Sequence, residues 1–414
     1  MKSMAIPKIL VLGTGFGGLY TALQAHRKLR HRVEITVLDR NDYFLYTPLL
    51  FQVAGGTLEA RHVARPLATL LPREVRFVQT TVQGINLERR RVETNAGILP
   101  YDFLVLALGG VPNFYGVTSA EQHALRFKWL PDVERVRAHI ERRFADAERN
   151  PQRAPDLLRF VVTGAGCTGI ELIAEVHDWM RGPLLRRYPG VRDEAVQLIL
   201  AEALDHLLCP MEPRLMRAAL RKLLTRKVDV RLGTLVTGVG PNWIRLRPPQ
   251  GADTQTACGG VVWTAGIQAP PLVAELPVPH GPAGRVQVSP TLQIPGYPAV
   301  LAVGDLAACP DPQGTYLPVT AQVAVQQGPA AARTLAALLQ GKEPAPFRYR
   351  RKGEVLGLGR MGALAEAFGF PLMGLPAWLF ARTVHLSRLP DWGDRVAVAW
   401  EWAKEVLGVP RRAN

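Results

Sequence analysis

Two glycine turns are the clearest candidates for chemistry in this sequence. Residues 8–12, KILVL, form an apolar run suited to a buried parallel strand, and they lead into GTGFGG and then a helical pattern. In such a GxGxxG turn the first glycine permits the tight bend, the second lets the backbone approach a pyrophosphate, and the third lets helix and strand pack closely. Gly13, Gly15 and Gly18 are therefore predicted to bind a dinucleotide at a helix N-terminus.

An acidic residue follows this first turn at a meaningful distance. Asp39 ends the run VEITVLD, 21 residues after Gly18, close to the roughly 20 residues expected for an acid that binds a ribose hydroxyl. Asp39 is the predicted ribose ligand. A simpler interpretation, in which it caps the following turn, stays open.

The stretch FVVTGAGCTG repeats the same device with Gly164, Gly166 and Gly169. A second acid, Glu202, ends the strand pattern VQLILAE 33 residues after Gly169, and the extra residues fall in a loop containing Gly and Pro. An acid at this place favours a free 2′-hydroxyl, hence NADH over its phosphorylated form. Two complete fingerprints in one chain predict a protein that binds both a flavin and a nicotinamide dinucleotide.

Two further stretches suit a bound flavin. DFLVLALGG, ending at Gly110, is an apolar strand pattern that finishes in small residues, and Gly109 is among the predicted cofactor contacts. In YPAVLAVGDLA, Gly304 allows close backbone approach and Asp305 could accept hydrogen bonds from ribityl hydroxyls. A plain helix N-cap is the alternative for Asp305.

These elements define an α/β protein with two Rossmann-like dinucleotide-binding domains and a C-terminal amphipathic segment. The predicted boundaries place a flavin-binding domain at 1–112 and 268–340, an NADH-binding domain inserted at 113–267, and the amphipathic segment at 341–414.

At this point the chain resembles the type II, non-proton-pumping NADH:quinone oxidoreductases over nearly its whole length. Besides the glycine turns, the resemblance rests on four stretches: TPLLFQVAGGTL from Thr47, VWTAGI through Gly266, AVGD, and AQVAVQQG at 321–328. The last of these is the most specific. The resemblance implies non-covalent FAD that takes a hydride from NADH and passes electrons to a membrane quinone. Thr47, Val82 and Gly266 are expected as further cofactor contacts.

The same resemblance implies three catalytic positions. Gln322 and Gln326 should line the quinone side of the flavin, and as an i, i+4 pair they share a helix face. A solvent-facing polar stripe is their alternative. Glu171 should lie where nicotinamide meets flavin, in a binding and positioning role, although a carboxylate early in a helix also complements the dipole.

The cysteines raise a rival function. Cys167 lies inside the second glycine turn, where the similar sulfide:quinone reductases place a redox cysteine, and a helix N-terminus makes a thiol reactive. The chain has four separated cysteines and no CxxC pair, which argues against a disulfide framework or a structural zinc site and for a reducing compartment. Cys167 is therefore expected to be a packing residue that lacks a partner. A flavin-binding redox sensor with little turnover is a third interpretation.

Charge and the C-terminal pattern suggest a lipid surface. The net charge is +15, yet the sequence carries no zinc, helix-turn-helix or RNA-binding signature that would favour nucleic acid. After Gly341, apolar stripes that include Trp378, Leu379, Leu389, Trp392, Val396 and Trp400 alternate with Arg382, Arg388, Arg395 and Lys404, as in helices that lie in a membrane interface. Packing against the protein or a homodimer is the alternative. We expect a peripheral protein on the cytoplasmic face of the membrane.

The nine histidines fall singly, so no metal is expected.

Overall fold

The structure is a computed structural model that describes residues 6–367, 369–389 and 391–407. The first five and last seven residues, which belong to the predicted FAD-binding and membrane-docking segments, lie outside the described residues. The chain folds as two compact units. Unit 1 comprises residues 1–45, 64–111 and 267–351, and unit 2 comprises residues 46–63, 112–266 and 352–414.

Unit 1 is built on a six-stranded sheet. Its strands, in spatial order, are Gln293–Ile294, Tyr297–Ala302, Phe103–Leu106, Lys8–Leu12, Glu34–Asp39 and Val75–Gln79. All neighbouring pairs are parallel except the first, which is antiparallel. The central strands Phe103–Leu106 and Lys8–Leu12 are buried at every residue after their first, as expected of a parallel sheet covered on both faces.

The first glycine helix, Phe16–Leu29, and the glutamine helix, Ala321–Leu339, pack together in unit 1. They approach closely because Gly328 lies against the first helix, where an added Cβ would come within 2.6 Å of the Tyr20 Cβ. Thr320 caps the glutamine helix by accepting the Val323 N–H at 3.3 Å. An antiparallel sheet, Val82–Asn86, Arg91–Thr94 and Gly97–Pro100, completes the larger elements of this unit.

Unit 2 contains a second parallel sheet. Its strands, in spatial order, are Leu125–Arg126, Gly260–Trp263, Arg159–Thr163, Gln197–Ala201 and Val228–Arg231. The helices of this region include Leu50–Ala54, Leu130–Arg149, the second glycine helix Cys167–Trp179, and Pro213–Thr225. The antiparallel strands Leu235–Gly240, Trp243–Arg247 and Thr254–Ala257 form a further sheet. The predicted fold class, with two dinucleotide-binding sheets, is confirmed.

The C-terminal part of unit 2 is a small antiparallel sheet followed by two helices, which are called the docking helices after the docking role predicted for their segment. The strands are Glu354–Gly357, Ala363–Ala367 and Phe370–Met373, and the docking helices are Leu375–Arg388 and Trp392–Val406. Among the described helices, none combines the length and the apolar character needed to cross a bilayer.

A buried cation holds these docking helices to the rest of unit 2. The Arg382 guanidinium stacks between Trp378 and Trp402, at 4.9 and 4.1 Å from the ring centroids, and pairs with Glu405 at 3.2 Å. It also donates to the Gln52 Oε1 at 2.9 Å, which accepts the Trp402 indole N–H as well. The expectation that Arg382 and Trp378 face a membrane interface is therefore wrong, because both side chains belong to the core of this unit. Leu389 is buried too.

Candidate active site

The first glycine turn has three glycines with distinct surroundings. Gly13 adopts φ +100°, and a Cβ there would lie 2.3 Å from the Ala107 carbonyl oxygen. A Cβ on Gly18 would lie 1.9 Å from the Gly13 carbonyl oxygen, whereas a Cβ on Gly15 would meet no protein atom within 4 Å. The outer glycines therefore serve the fold, and the middle one presents open backbone to a ligand. This cradle fits the pyrophosphate of a dinucleotide at the N-terminus of the first glycine helix.

Asp39 is bound to this turn. One carboxylate oxygen accepts the Thr14 backbone N–H and the Thr14 hydroxyl, both at 2.7 Å, and the other accepts the Asn41 N–H at 2.9 Å. Asp39 thus caps the following turn, as its simpler interpretation predicts. The carboxylate is half-buried at the edge of the turn, and its contact with a ribose hydroxyl stays a prediction.

The other small residues of unit 1 gather at the same end of its sheet. The AVGD turn follows the strand Tyr297–Ala302. Its Val303 N–H donates to the carbonyl of Leu106, the last residue of the neighbouring strand, at 3.0 Å. Gly304 and Gly109 adopt φ +75° and +70°, which glycine tolerates. Asp305 lies in the short 3-10 turn Gly304–Leu306, and Val82 begins the strand three residues after Gln79.

Sequence reasoning missed Gln327. Its side chain is fully buried, and its Oε1 accepts the Gly304 N–H at 2.7 Å. This bond fixes the AVGD turn to the glutamine helix. The second glutamine of the QQG triplet was the available signal, since an amide within a small-residue helix needs a buried partner.

The second glycine turn reproduces the first. Gly164 adopts φ +92°, and a Cβ on Gly169 would lie 1.9 Å from the Gly164 carbonyl oxygen, while a Cβ on Gly166 would meet no protein atom within 4 Å. The buried Glu202 carboxylate accepts the Ala165 N–H at 2.7 Å and the Leu204 N–H at 3.0 Å. In both turns the acid after the second strand binds the N–H that follows the first glycine. The two units therefore carry one dinucleotide-binding device each.

Gly266 and Thr47, two of the predicted cofactor contacts, belong to unit 2. Gly266 adopts φ +63°, a backbone conformation that favours glycine, and it lies beside the hydroxyl of the exposed Tyr115. Thr47 begins the short 3-10 turn Thr47–Leu49 in the 46–63 segment. The contact of each residue with a cofactor stays a prediction.

Glu171 lies on the second glycine helix, one turn after Cys167. Its carboxylate accepts the Gly357 N–H at 2.9 Å. Burial raises the pKa of Glu171 to about 8, the Gly357 bond opposes this rise, and Glu175 and Glu354 add to it. One turn further, the buried Glu175 accepts the Thr57 hydroxyl at 2.7 Å. Glu171 is thus a carboxyl that can hold or release a proton near neutral pH.

Gln322 and Gln326 share one face of the glutamine helix in unit 1. The Tyr349 hydroxyl donates to the Gln322 Oε1 at 3.0 Å. The Gln326 amide exchanges two hydrogen bonds with the Arg350 backbone, at 2.9 and 3.1 Å. Gln322 is buried and Gln326 is half-buried, so these amides are oriented by the basic FRYRRKG run. Their contact with quinone remains a prediction.

The structure corrects the prediction for the cysteines. Cys167 and Cys209 form a disulfide with a Cα–Cα distance of 4.9 Å, although they are 42 residues apart. The expectation that Cys167 is a packing residue without a partner is therefore wrong. Cys258 and Cys309 are free and buried. Among the described residues, no group of three or more His, Cys, Asp or Glu side chains is placed to hold a metal ion.

This fold and these paired turns define an oxidoreductase with two dinucleotide-binding domains. Residues 7–328 match the pyridine nucleotide-disulphide oxidoreductase family. The chain is 32% identical to the type II NADH:quinone oxidoreductase Ndh of Mycobacterium tuberculosis, over 98% of this chain and 89% of that protein. It is 30% identical to the type II NADH:quinone oxidoreductase of Staphylococcus aureus, over 91% of this chain and 94% of the relative.

The chain belongs to the type II NADH:quinone oxidoreductase family, which confirms the predicted family and enzyme class. Solved structures show the same fold at lower identity. The NDH2 of Plasmodium falciparum in complex with NADH superposes with a TM-score of 0.89 at 18% identity, covering 99% of this chain and 100% of that one. The sulfide:quinone oxidoreductase of Aquifex aeolicus reaches 0.74 at 20% identity, covering 98% and 96%.

Proposed function

We propose that the protein transfers electrons from NADH to a membrane quinone through bound FAD, without pumping protons. The observation that carries this proposal is the pair of equivalent glycine turns, each with an acid bound to it. When bound, FAD accepts a hydride from NADH and delivers electrons to quinone, so the two substrates react in separate half-reactions. The names of the relatives in its family contain the same two substrates, NADH and quinone.

The two turns receive different dinucleotides in this proposal. FAD is held by Gly13, Gly15, Gly18 and Asp39, and the AVGD turn forms a further part of the same binding site. Gly164, Gly166, Gly169 and Glu202 hold NADH. A buried carboxylate beside the ribose repels a 2′-phosphate. Steady-state oxidation with a soluble quinone analogue should therefore prefer NADH to NADPH by at least about tenfold in kcat/KM, and equal use of both would contradict the assignment of Glu202.

Glu171, Gln322 and Gln326 complete the proposed machinery. Glu171, largely protonated at neutral pH, donates a hydrogen bond that positions the nicotinamide amide. Gln322 and Gln326 present uncharged amides, which suit quinone carbonyls in an apolar site. Tyr349 and the Arg350 backbone already orient these amides, which reduces the entropy lost when a substrate is bound.

Sulfide:quinone reduction is the second candidate, and the Cys167–Cys209 disulfide is the observation that favours it. The disulfide follows the second glycine turn directly, and Cys209 belongs to the segment that carries Glu202. We therefore assign it to the NADH-binding region and rank sulfide oxidation second. A redox sensor with little turnover is third, and multiple turnovers of NADH with quinone would exclude it.

We propose further that the docking helices bind the protein to the lipid surface where its quinone is dissolved. Trp392, Val396 and Trp400 follow one another at single-turn spacing with exposures of 74%, 66% and 61%. Arg395 stacks on Trp392 at 4.8 Å and Arg388 is exposed. An apolar stripe flanked by cations suits an anionic membrane interface. A homodimer that buries the same stripe is the alternative.

Replacing Trp392, Val396 and Trp400 together by serine should release the protein from liposomes. Each side chain contributes on the order of 1 kcal/mol or more when it leaves water, so partitioning should fall more than tenfold. Co-sedimentation with anionic vesicles measures this. Substitution is preferable to deletion from Pro376 onward, which would also remove the Arg382 cluster. Ile98→Ser, at an exposed residue of unit 1, is the control, and undiminished binding of the triple variant would contradict the proposal.

A further inference from the structure

The Cys167–Cys209 disulfide has a position that the electron-transfer reaction does not explain. Cys167 is the first residue of the second glycine helix, directly after Gly166, and it is half-buried. Cys209 lies seven residues after Glu202 and is buried. The bond therefore joins the glycine turn to the segment that follows the acid of that turn.

This acid segment, residues 202–209, is fastened to the turn at two other points. The Glu202 carboxylate accepts the Ala165 N–H at 2.7 Å, and the Leu208 N–H donates to the Ala165 carbonyl at 2.9 Å. Residues 203–206 between these points are exposed. Because the disulfide is the covalent fastening, breaking it leaves the segment held to the turn by single hydrogen bonds, each of modest net strength.

We propose that Cys167 and Cys209 form a reversible thiol–disulfide site that sets the affinity of the protein for NADH. In the disulfide form the glycine turn and Glu202 are held together in the geometry that binds the nucleotide. In the dithiol form only hydrogen bonds hold the acid segment to the turn, and NADH binding loses part of that preorganisation. The inference rests on the proposed placement of NADH at the second glycine turn.

The reductant is a dithiol, either a small molecule or a protein with a vicinal pair. Its thiolate attacks the half-buried Cys167 sulfur, the Cys167–Cys209 bond breaks, and Cys209 leaves and takes up a proton. The second thiol of the reductant then attacks its own mixed-disulfide sulfur and displaces Cys167. The reductant becomes a disulfide, and the two cysteines gain two electrons and two protons. The N-terminus of the second glycine helix stabilises the departing Cys167 thiolate.

Cys258 and Cys309, the other two cysteines, differ in reactivity from the Cys167–Cys209 pair. Burial raises the pKa of both Cys258 and Cys309 to about 11, so under native conditions these thiols react slowly with alkylating reagents. Reduction of the folded protein should therefore expose two rapidly labelled thiols, which peptide mapping assigns to Cys167 and Cys209.

The test compares the oxidised holoenzyme with the same protein reduced by dithiothreitol and freed of reductant under anaerobic conditions. We expect the KM for NADH, and its Kd in equilibrium titration, to rise about five- to tenfold on reduction. The kcat should stay within about twofold, the flavin content should be unchanged, and reoxidation should restore the original KM. The Cys167→Ser/Cys209→Ser variant should show the reduced-form KM and no response to dithiothreitol, while Cys258→Ala keeps the full response.

Three results would overturn the proposal. The first is the appearance of both thiols with no change in KM. The second is a lower KM in the reduced protein, and the third is resistance of the disulfide to dithiothreitol in the folded state. Failure of the underlying placement is separable: if NADH binds elsewhere, Gly169→Ala leaves NADH binding intact, whatever the cysteines do.

Discussion

Gly18→Ala should purify without its flavin. The new Cβ would lie 1.9 Å from the Gly13 carbonyl oxygen and 3.0 Å from the Ala107 Cβ. Backbone cannot yield as a flexible side chain does, so the first glycine helix must move away from its strand and the N–H groups of the turn lose their direction toward the pyrophosphate. Overpacking of this kind costs roughly 1–3 kcal/mol or more, and we expect FAD affinity to fall by at least about tenfold. The ratio of flavin absorbance to protein absorbance in the purified variant measures bound flavin.

Gly169→Ala is the matched variant for the second turn, because its Cβ would also lie 1.9 Å from a carbonyl oxygen, that of Gly164. This protein should stay yellow and lose NADH oxidation instead. Lys28→Ala, at an exposed residue near the end of the first glycine helix, controls for expression and handling. Loss of flavin from Gly169→Ala with retention by Gly18→Ala would reverse the assignment of the two turns.

Glu171→Ala should lower kcat/KM for NADH by about ten- to a hundredfold. The reason is that a buried hydrogen-bonding partner of a polar substrate group is worth roughly 1–3 kcal/mol. Glu171→Gln keeps the shape and the neutral state, so its loss should be smaller. Initial rates at subsaturating NADH measure this, and Glu194→Gln, at an exposed carboxylate of the same unit, is the control. Unchanged kcat/KM in Glu171→Ala would leave the carboxylate as a complement of the helix dipole only.

The raised pKa of Glu171 also predicts a pH dependence. With a pKa of about 8, the carboxyl is neutral below that pH and ionised above it, so kcat/KM should fall above pH ~8 in the parent protein and stay flatter in Glu171→Gln. Stability follows the same sign. The unfolded value lies near 4.5, so the folded state favours the proton, and the contribution to stability is largest below that value and declines as pH rises toward about 8. Parallel melting curves of the parent protein and Glu171→Gln across this window would contradict the assignment.

Local sequence determined how much of this site could be predicted. The strand Lys8–Leu12 has the predicted bounds, and Asp39 ends the predicted strand. Both follow from short-range rules: an apolar run, a glycine turn and a fixed distance to the acid. The same rules located the second turn and Glu202.

Long-range contacts account for what sequence reasoning missed. Cys167 and Cys209 meet only because the acid segment folds back onto the glycine turn, and no residue spacing signals this. Arg382 looked like an interfacial cation, because neither Gln52 nor Glu405 is its neighbour in the helix pattern. Its burial became favourable through two tryptophan faces and an ion pair, which only the assembled unit provides.

Anaerobic reduction of the flavin is the sharpest test of electron transfer from NADH to quinone. The yellow protein is mixed in turn with NADH, NADPH and sulfide while flavin absorbance is followed, and a soluble quinone is then added. The account predicts rapid bleaching by NADH, slower bleaching by NADPH, no bleaching by sulfide, and return of the colour with quinone. Bleaching by sulfide but not by NADH would contradict it.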